Sequence, residues 1–179
     1  MSRPVVEWTR TELSARLEEV LDVYCEAMRV PVATAGGRRA IITSHLDRSG
    51  LRAAAVTGPE GELAGVTYGY RGAAGEWWYD QVRSTLDPEA AQRWLDDAFE
   101  VCELHVRPRY QGQGLGRALL DALLAKTASR TAVLSTPAGP TRARSFYRAG
   151  GWAELVPLMH FPGDPRPFVV LGRALAPAA

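Results

Sequence analysis

Glu103-Leu104-His105-Val106-Arg107-Pro108-Arg109-Tyr110-Gln111-Gly112-Gln113-Gly114-Leu115-Gly116-Arg117-Ala118-Leu119-Leu120 is the stretch on which the fold turns. An extended run closes at Arg107-Pro108, because proline cannot donate to a ladder and holds its predecessor extended. Glycines follow at 112, 114 and 116, after which Leu115, Leu119, Ala122 and Leu123 recur along one face of a helix starting near Gly114. Strand, glycine-rich turn and helix in that order aim several backbone N–H groups and the positive end of a helix dipole at one spot. Such a spot binds phosphate. Side chains there would hold the anion away from the amides, which is why glycine suits the turn, and Arg117 in the first helical turn adds a charge-assisted contact.

Working outward, Thr9 and Glu12 have capping-box spacing, and Leu13, Leu17, Val20, Leu21, Tyr24 and Met28 continue at helical intervals. This predicts one amphipathic helix running to Pro31. Gly36-Gly37 breaks the chain, and a short helix is expected over 38–48. Residues 51–57 and 63–70 read as two strands around the turn Gly58-Pro59-Glu60-Gly61. The stretch 75–86, with Trp77, Trp78 and Tyr79, reads as loop, and Asp87-Pro88-Glu89 opens a helix towards Ala98. Strands follow over 99–106 and 131–136, then a helix over 140–149 stopped by Gly150-Gly151, then strands near 152–159 and 168–171. The order predicts mixed α and β elements around one sheet in a single domain spanning 1–179, with a frayed Ala/Pro tail over 174–179.

The chain has 179 residues, 46% of them hydrophobic, enough for a substantial core. Lys and Arg number 21 against 20 Asp and Glu, a net charge of +1. That balance lacks the broad basic excess of a sequence-independent nucleic-acid binder, so anion recognition is expected to be local. Cys25 and Cys102 are too few for a disulfide framework or a cysteine-rich zinc site, and no metal is expected. Charges through the first twenty residues interrupt any signal-peptide core, and no uncharged run reaches the ~20 apolar residues of a membrane span. The expectation is a cytoplasmic protein with neither a membrane nor a nucleic-acid partner.

The turn is neither a P-loop, whose lysine and Ser/Thr it lacks, nor a dinucleotide fingerprint, whose glycine spacing differs. Its residues resemble the Q/R-x-x-G-x-G/A signature of the GNAT superfamily of N-acetyltransferases at Gln111, Gly114 and Gly116. The preceding Leu104 to Pro108 is similar too. Further on, the segment from Arg142 to Trp152 resembles that family's R-A-x-x-x-Y-x-x-x-G-F, with Trp152 in place of Phe. Pro140 stands where many relatives carry an asparagine that contacts the cofactor, so that contact is not implied. The specific resemblance covers about residues 99–153, taken as the cofactor-binding core.

The resemblance implies an α+β fold with a central mixed, mostly antiparallel sheet of about six to seven strands flanked by helices on both faces. It implies acetyl-CoA as acyl donor, held by Leu104, His105, Val106, Gln111, Gly112, Gln113, Gly114, Leu115, Gly116 and Arg117. The strand is expected to splay from its neighbour so that backbone groups of Leu104 and Val106 pair with pantetheine. Tyr147 falls at the position of the family's catalytic tyrosine, the acid for the departing sulfur. Dimerisation is implied in the same way.

Attack on a thioester needs a neutral amine, and alkyl ammonium groups titrate near ~10, so a group must take up a proton. Period-two alternation puts Glu103 and His105 on one face of the strand, with Glu103 ranked first as that group. Alternation leaves open whether either is catalytic or simply a paired polar residue of the sheet. The expected acceptor is a primary amine of a small molecule, approached near Trp77, Trp78, Tyr79, Trp94 or His160-Phe161-Pro162, with Asp80 or Asp164 facing a cation. The alternatives are a protein N-terminus or lysine and, in another class, an acyl-CoA sensor without catalysis.

Overall fold

Thr9 accepts from the Glu12 amide while the Glu12 carboxylate caps the Thr9 amide, so α1 (Arg10–Ala15) starts with a complete capping box. The chain bends at Arg16 and resumes as α2 (Leu17–Met28), ending at Arg29 in the left-handed region. Two helices thus replace the single one expected from 9 to 31. Helix α3 (Ala35–His45) begins three residues earlier than expected and takes in Gly36 and Gly37, beside which a Cβ would meet nothing. A short strand, β1 (Val6–Trp8), precedes them all.

The computed structural model describes residues 3–176. Its sheet has seven strands in the order β1-β2-β3-β4-β5-β7-β6. Strands β2 (Arg52–Thr57) and β3 (Leu63–Arg71) form the predicted hairpin, and β4 (Ala98–Val106) leads to the turn and α6 (Leu115–Leu124). Then come β5 (Thr131–Pro137), α7 (Arg142–Ala149), β6 (Ala153–His160) and β7 (Pro167–Ala174). Strands β4 and β5 pair in parallel, whereas β1–β2, β2–β3, β5–β7 and β6–β7 pair antiparallel, in line with the mixed α+β expectation.

The chain divides into two compact units, Met1–Tyr70 with Val101–Thr127, and Arg71–Glu100 with Ala128–Ala179. In the first, β2 is sandwiched. Ala53 and Ala55 pack with Leu13, Val20, Leu21, Ile42 and Tyr68 under the N-terminal helices. Ala54 and Val56 pack on the other face with Ala64, Tyr110, Leu115 and Leu119 under α6. Burial on both faces explains why these strands read as continuous apolar runs rather than alternating ones. Gly65 lets α6 close on the sheet, since a Cβ there would lie 3.0 Å from Leu119 Cδ1 and 3.1 Å from the His105 carbonyl oxygen.

In the second unit β5 pairs with β7 from Thr131↔Ala174 to Pro137↔Phe168, and β7 pairs with β6. Ala174 therefore closes a strand instead of fraying, and the Leu175 amide donates to Arg130 O at 2.8 Å. Residues 177–179 of the expected tail lie outside the described residues. Residues 77–83 form α4 (Trp77–Arg83) where a loop was expected, and α5 (Pro88–Leu95) carries the predicted Asp87 cap, accepting from Ala90 at 2.8 Å. Tyr79 and Val82, one helical turn apart, are buried with Leu95, Val133, Val156 and Val170. Their burial outweighs the weak helix propensity of Trp-Trp-Tyr.

Candidate functional site

Gly114 caps α6 in the left-handed region, φ 80° and ψ −2°, and Gly112 has φ 76°. A non-glycine residue would be strained at either position. A Cβ at either would meet no atom within 4 Å, so the turn lies open. Gly112, Gln113 and Gly114 are exposed, while Leu115 points inward and is buried. The first bond closed by α6 runs from the Ala118 amide to Gly114 O at 3.1 Å, leaving its first-turn amides without intrahelical acceptors.

The base of the turn is fastened from several sides. Arg107 Nε donates to Leu63 O at 2.6 Å, its guanidinium pairs with Glu26, and its amide donates to Ala64 O at 2.9 Å. Tyr110 is buried and its hydroxyl donates to Glu62, which also pairs with Arg109 at 3.2 Å. Gln111 Nε2 donates to Val106 O at 2.9 Å, tying the turn back to β4. Of the expected cofactor residues, Leu104, His105, Val106 and the run 111–117 therefore lie together in the first unit.

On β4, Glu103 is 6% exposed and both of its oxygens are engaged. Oε1 accepts from Arg38 Nη1 at 2.9 Å, and Oε2 accepts from His105 Nε2. Burial alone would raise the Glu103 carboxyl, yet the hydrogen bond from His105 and the charges of His105 and Arg38 hold it below the usual carboxylate range. An ionised carboxylate only accepts, so the proton between the pair sits on Nε2, and in the neutral form of the His105 ring the lone pair is on Nδ1. Arg38 lies over the Tyr24 ring at 4.8 Å, and Tyr24 meets the His105 ring edge-on at 5.3 Å. Behind them His45 Nδ1 lies 3.0 Å from the Tyr68 hydroxyl. Burial, with help from Arg48, lowers His45 to about 4, and burial raises Tyr68, so Tyr68 donates to a neutral imidazole.

Sequence reasoning named Glu103 and His105 but missed Arg38, Tyr24, His45 and Tyr68. They arrive from α2, α3 and β3, and no local pattern marks them.

In the second unit Tyr147 is 8% exposed on α7, whose cap Thr141 accepts from the Arg144 amide at 3.1 Å. Its ring packs against Phe146 at 5.1 Å and Trp152 at 5.4 Å. The residues considered for the acceptor are largely structural. Trp78 Nε1 donates to Ser135 Oγ at 3.0 Å, Tyr79 is buried, and Trp94 covers Gly172. Asp80 accepts from the Gly75 amide and Asp164 pairs with Arg166. Trp77 is exposed, with its ring 5.5 Å from Phe161, and so are Asp80, His160 and Pro162. Among the described residues no cluster of three or more His, Cys, Asp or Glu side chains forms a metal site, and no helix is long and apolar enough to cross a membrane.

Residues 75–154 match the acetyltransferase (GNAT) domain family. A GCN5-like protein acetyltransferase of Mycobacterium tuberculosis is 36% identical over 200 aligned positions, covering 96% of this chain and 97% of the relative. A solved GNAT-family structure from Desulfovibrio desulfuricans superposes with a TM-score of 0.69 at 18% identity, over 97% of this chain and 100% of the other. The PaiA N-acetyltransferase of Thermoplasma acidophilum, solved with coenzyme A, superposes with a TM-score of 0.63 at 13% identity, over 98% and 100%.

Proposed function

This chain belongs to the GNAT family of acetyltransferases, and on that premise we propose that it moves an acetyl group from acetyl-CoA to a primary amine by direct attack. The single observation that carries the cofactor assignment is the turn itself. Gly112 and Gly114 face open space, α6 presents its first-turn amides, and the base is fixed by Arg107 and Tyr110. A diphosphate fits there, since glycines admit it to the amides, the helix dipole favours its charge and Arg117 stands in the first helical turn. Acetyl-CoA supplies the activated acyl carbon. The residues taken to hold it are Leu104, His105 and Val106 along the strand and Gln111, Gly112, Gln113, Gly114, Leu115, Gly116 and Arg117 around the turn.

The pair Glu103–His105 deals with the proton of the incoming ammonium, and the Tyr147 hydroxyl serves as acid for the departing sulfur. Support for Tyr147 comes from its place in the segment 142–152. Support for the pair comes from its burial beside Arg38.

The acceptor we favour is a small-molecule amine. The 36% identical relative is itself a protein acetyltransferase, which favours a protein N-terminus or lysine as the second reading. A thiol-release assay with acetyl-CoA against small amines, lysine peptides and free N-terminal peptides tests both. Release with peptides alone would replace the first reading by the second, and release with none would remove transfer to amines.

A further inference from the structure

The buried cluster on β4 divides the labour between its two titratable members, and we propose that His105 is the proton acceptor of the reaction while Glu103 acts through it as a positioning residue locked by Arg38. The inference rests on the acetyltransfer reading and says which member of the pair does the chemistry.

Geometry carries it. Glu103 is 6% exposed and has spent both oxygens, one on Arg38 at 2.9 Å and the other on His105. A proton reaching that carboxylate would have to displace one of those partners. The His105 side chain is 12% exposed against 6% for Glu103, and it spends only Nε2 on that carboxylate. The Nδ1 lone pair remains, on a ring oriented by the Glu103 contact and by the edge-on Tyr24 ring at 5.3 Å. The groups around the pair are Tyr24 of α2, Arg38 and His45 of α3, and Tyr68 of β3, with Glu103 the one carboxylate that the hydrogen bonds assign to the cluster. Glu103, held below the ordinary range, is the weaker base of the two types. Ordinary imidazoles titrate about two units above carboxylates, about a hundredfold in proton affinity.

The step balances as follows. Nδ1 of His105 takes one proton from the acceptor's ammonium, breaking its N–H bond, and the imidazolium is stabilised by ionised Glu103. The freed amine lone pair forms the C–N bond as the C–S bond breaks, and the second nitrogen proton replaces the one that the acid of the proposed function gives to the departing sulfur. His105 then returns its proton to solvent.

Steady-state kinetics with the best amine of the screen, across pH 5–9, test the division. His105→Gln is expected to lower kcat about 10²- to 10⁴-fold, and to abolish the acid limb of the profile. Glu103→Gln, whose amide oxygen still accepts from Nε2, is expected to cost only about 10- to 100-fold. The double variant should be no worse than His105→Gln alone, because the two act as one unit. A rate within about twofold of wild type in His105→Gln, an acid limb that survives it, or a larger loss in Glu103→Gln than in His105→Gln overturns the assignment. Where His105→Gln melts too low to assay, His105→Asn is read by the same comparisons. Failure of the wild-type protein to release thiol with any amine sinks the acetyltransfer reading itself, whereas release that ignores His105 sinks only this assignment.

Discussion

Replacing Gly114 by glutamate tests the turn in two separable ways. The residue sits at φ 80°, so any side chain there costs about 1–2 kcal/mol of fold stability. For a chain of this size each kcal/mol moves the melting temperature by about 2–4 °C, so a fall of roughly 2–8 °C is expected from strain alone. The second effect falls on the ligand. The Cβ would enter open space, with no atom within 4 Å to stop the carboxylate reaching the diphosphate. At about 4 Å and an effective dielectric of about 20, each pair of unit like charges costs about 4 kcal/mol, or a thousandfold in Kd. Gly114→Gln carries the same strain and bulk without the charge and separates the two. Isothermal titration calorimetry with coenzyme A should give no measurable binding for Gly114→Glu and weakened binding for Gly114→Gln, and added salt should narrow the gap between them. A folded Gly114→Glu protein that binds coenzyme A with wild-type affinity would refute the phosphate-cradle reasoning.

Three more outcomes are expected. Tyr147→Phe should keep acetyl-CoA affinity and lower kcat about 10²-fold or more, and an unchanged kcat on the true acceptor removes Tyr147 from the acid role. Gly172→Ala should destabilise by about 1–3 kcal/mol, since its Cβ would lie 2.8 Å from both Leu155 Cδ1 and the Trp94 ring; a melting temperature equal to wild type contradicts that packing. His45 is lowered to about 4 in the fold from an ordinary 6.5, so the unfolded chain takes up its proton first as pH falls, and stability is lost between about 6.5 and 4. The depressed Glu103 adds a loss below the ordinary carboxylate range as pH falls through its folded value. Because His45 is only partly shielded, its share is about 1–2 kcal/mol at pH 4, and His45→Gln should flatten the decline of melting temperature across that window. An equally steep decline in the variant would show that His45 is not responsible.

What was legible in the chain is what local chemistry writes down. Proline at 108, glycines at 112 and 114 and the leucine stripe of α6 each act within a few residues, so β4, the turn and α6 were read with boundaries close to those observed. The break at Arg16 was not, because neither glycine nor proline marks it. Strand β1 has three residues and no buried alternation to betray it. Helix α4 hides behind aromatic residues that favour strands and is selected by where Tyr79 and Val82 become buried. The site divides in the same way. The turn is contiguous and legible, whereas Arg38 meets Glu103 across 65 residues, a distance over which no periodicity speaks.

The fastening of the turn by Arg107 and Tyr110 bears on the end of each catalytic cycle. In the function proposed above the cradle recognises the diphosphate, a part of the carrier that the reaction never alters, and so would hold the loaded and the spent forms with equal strength. Such indifferent binding does nothing to speed the chemical step. Its kinetic signature is inhibition by product: free coenzyme A competes with its own thioester, and the enzyme's pace follows the ratio of the two rather than the amount of either.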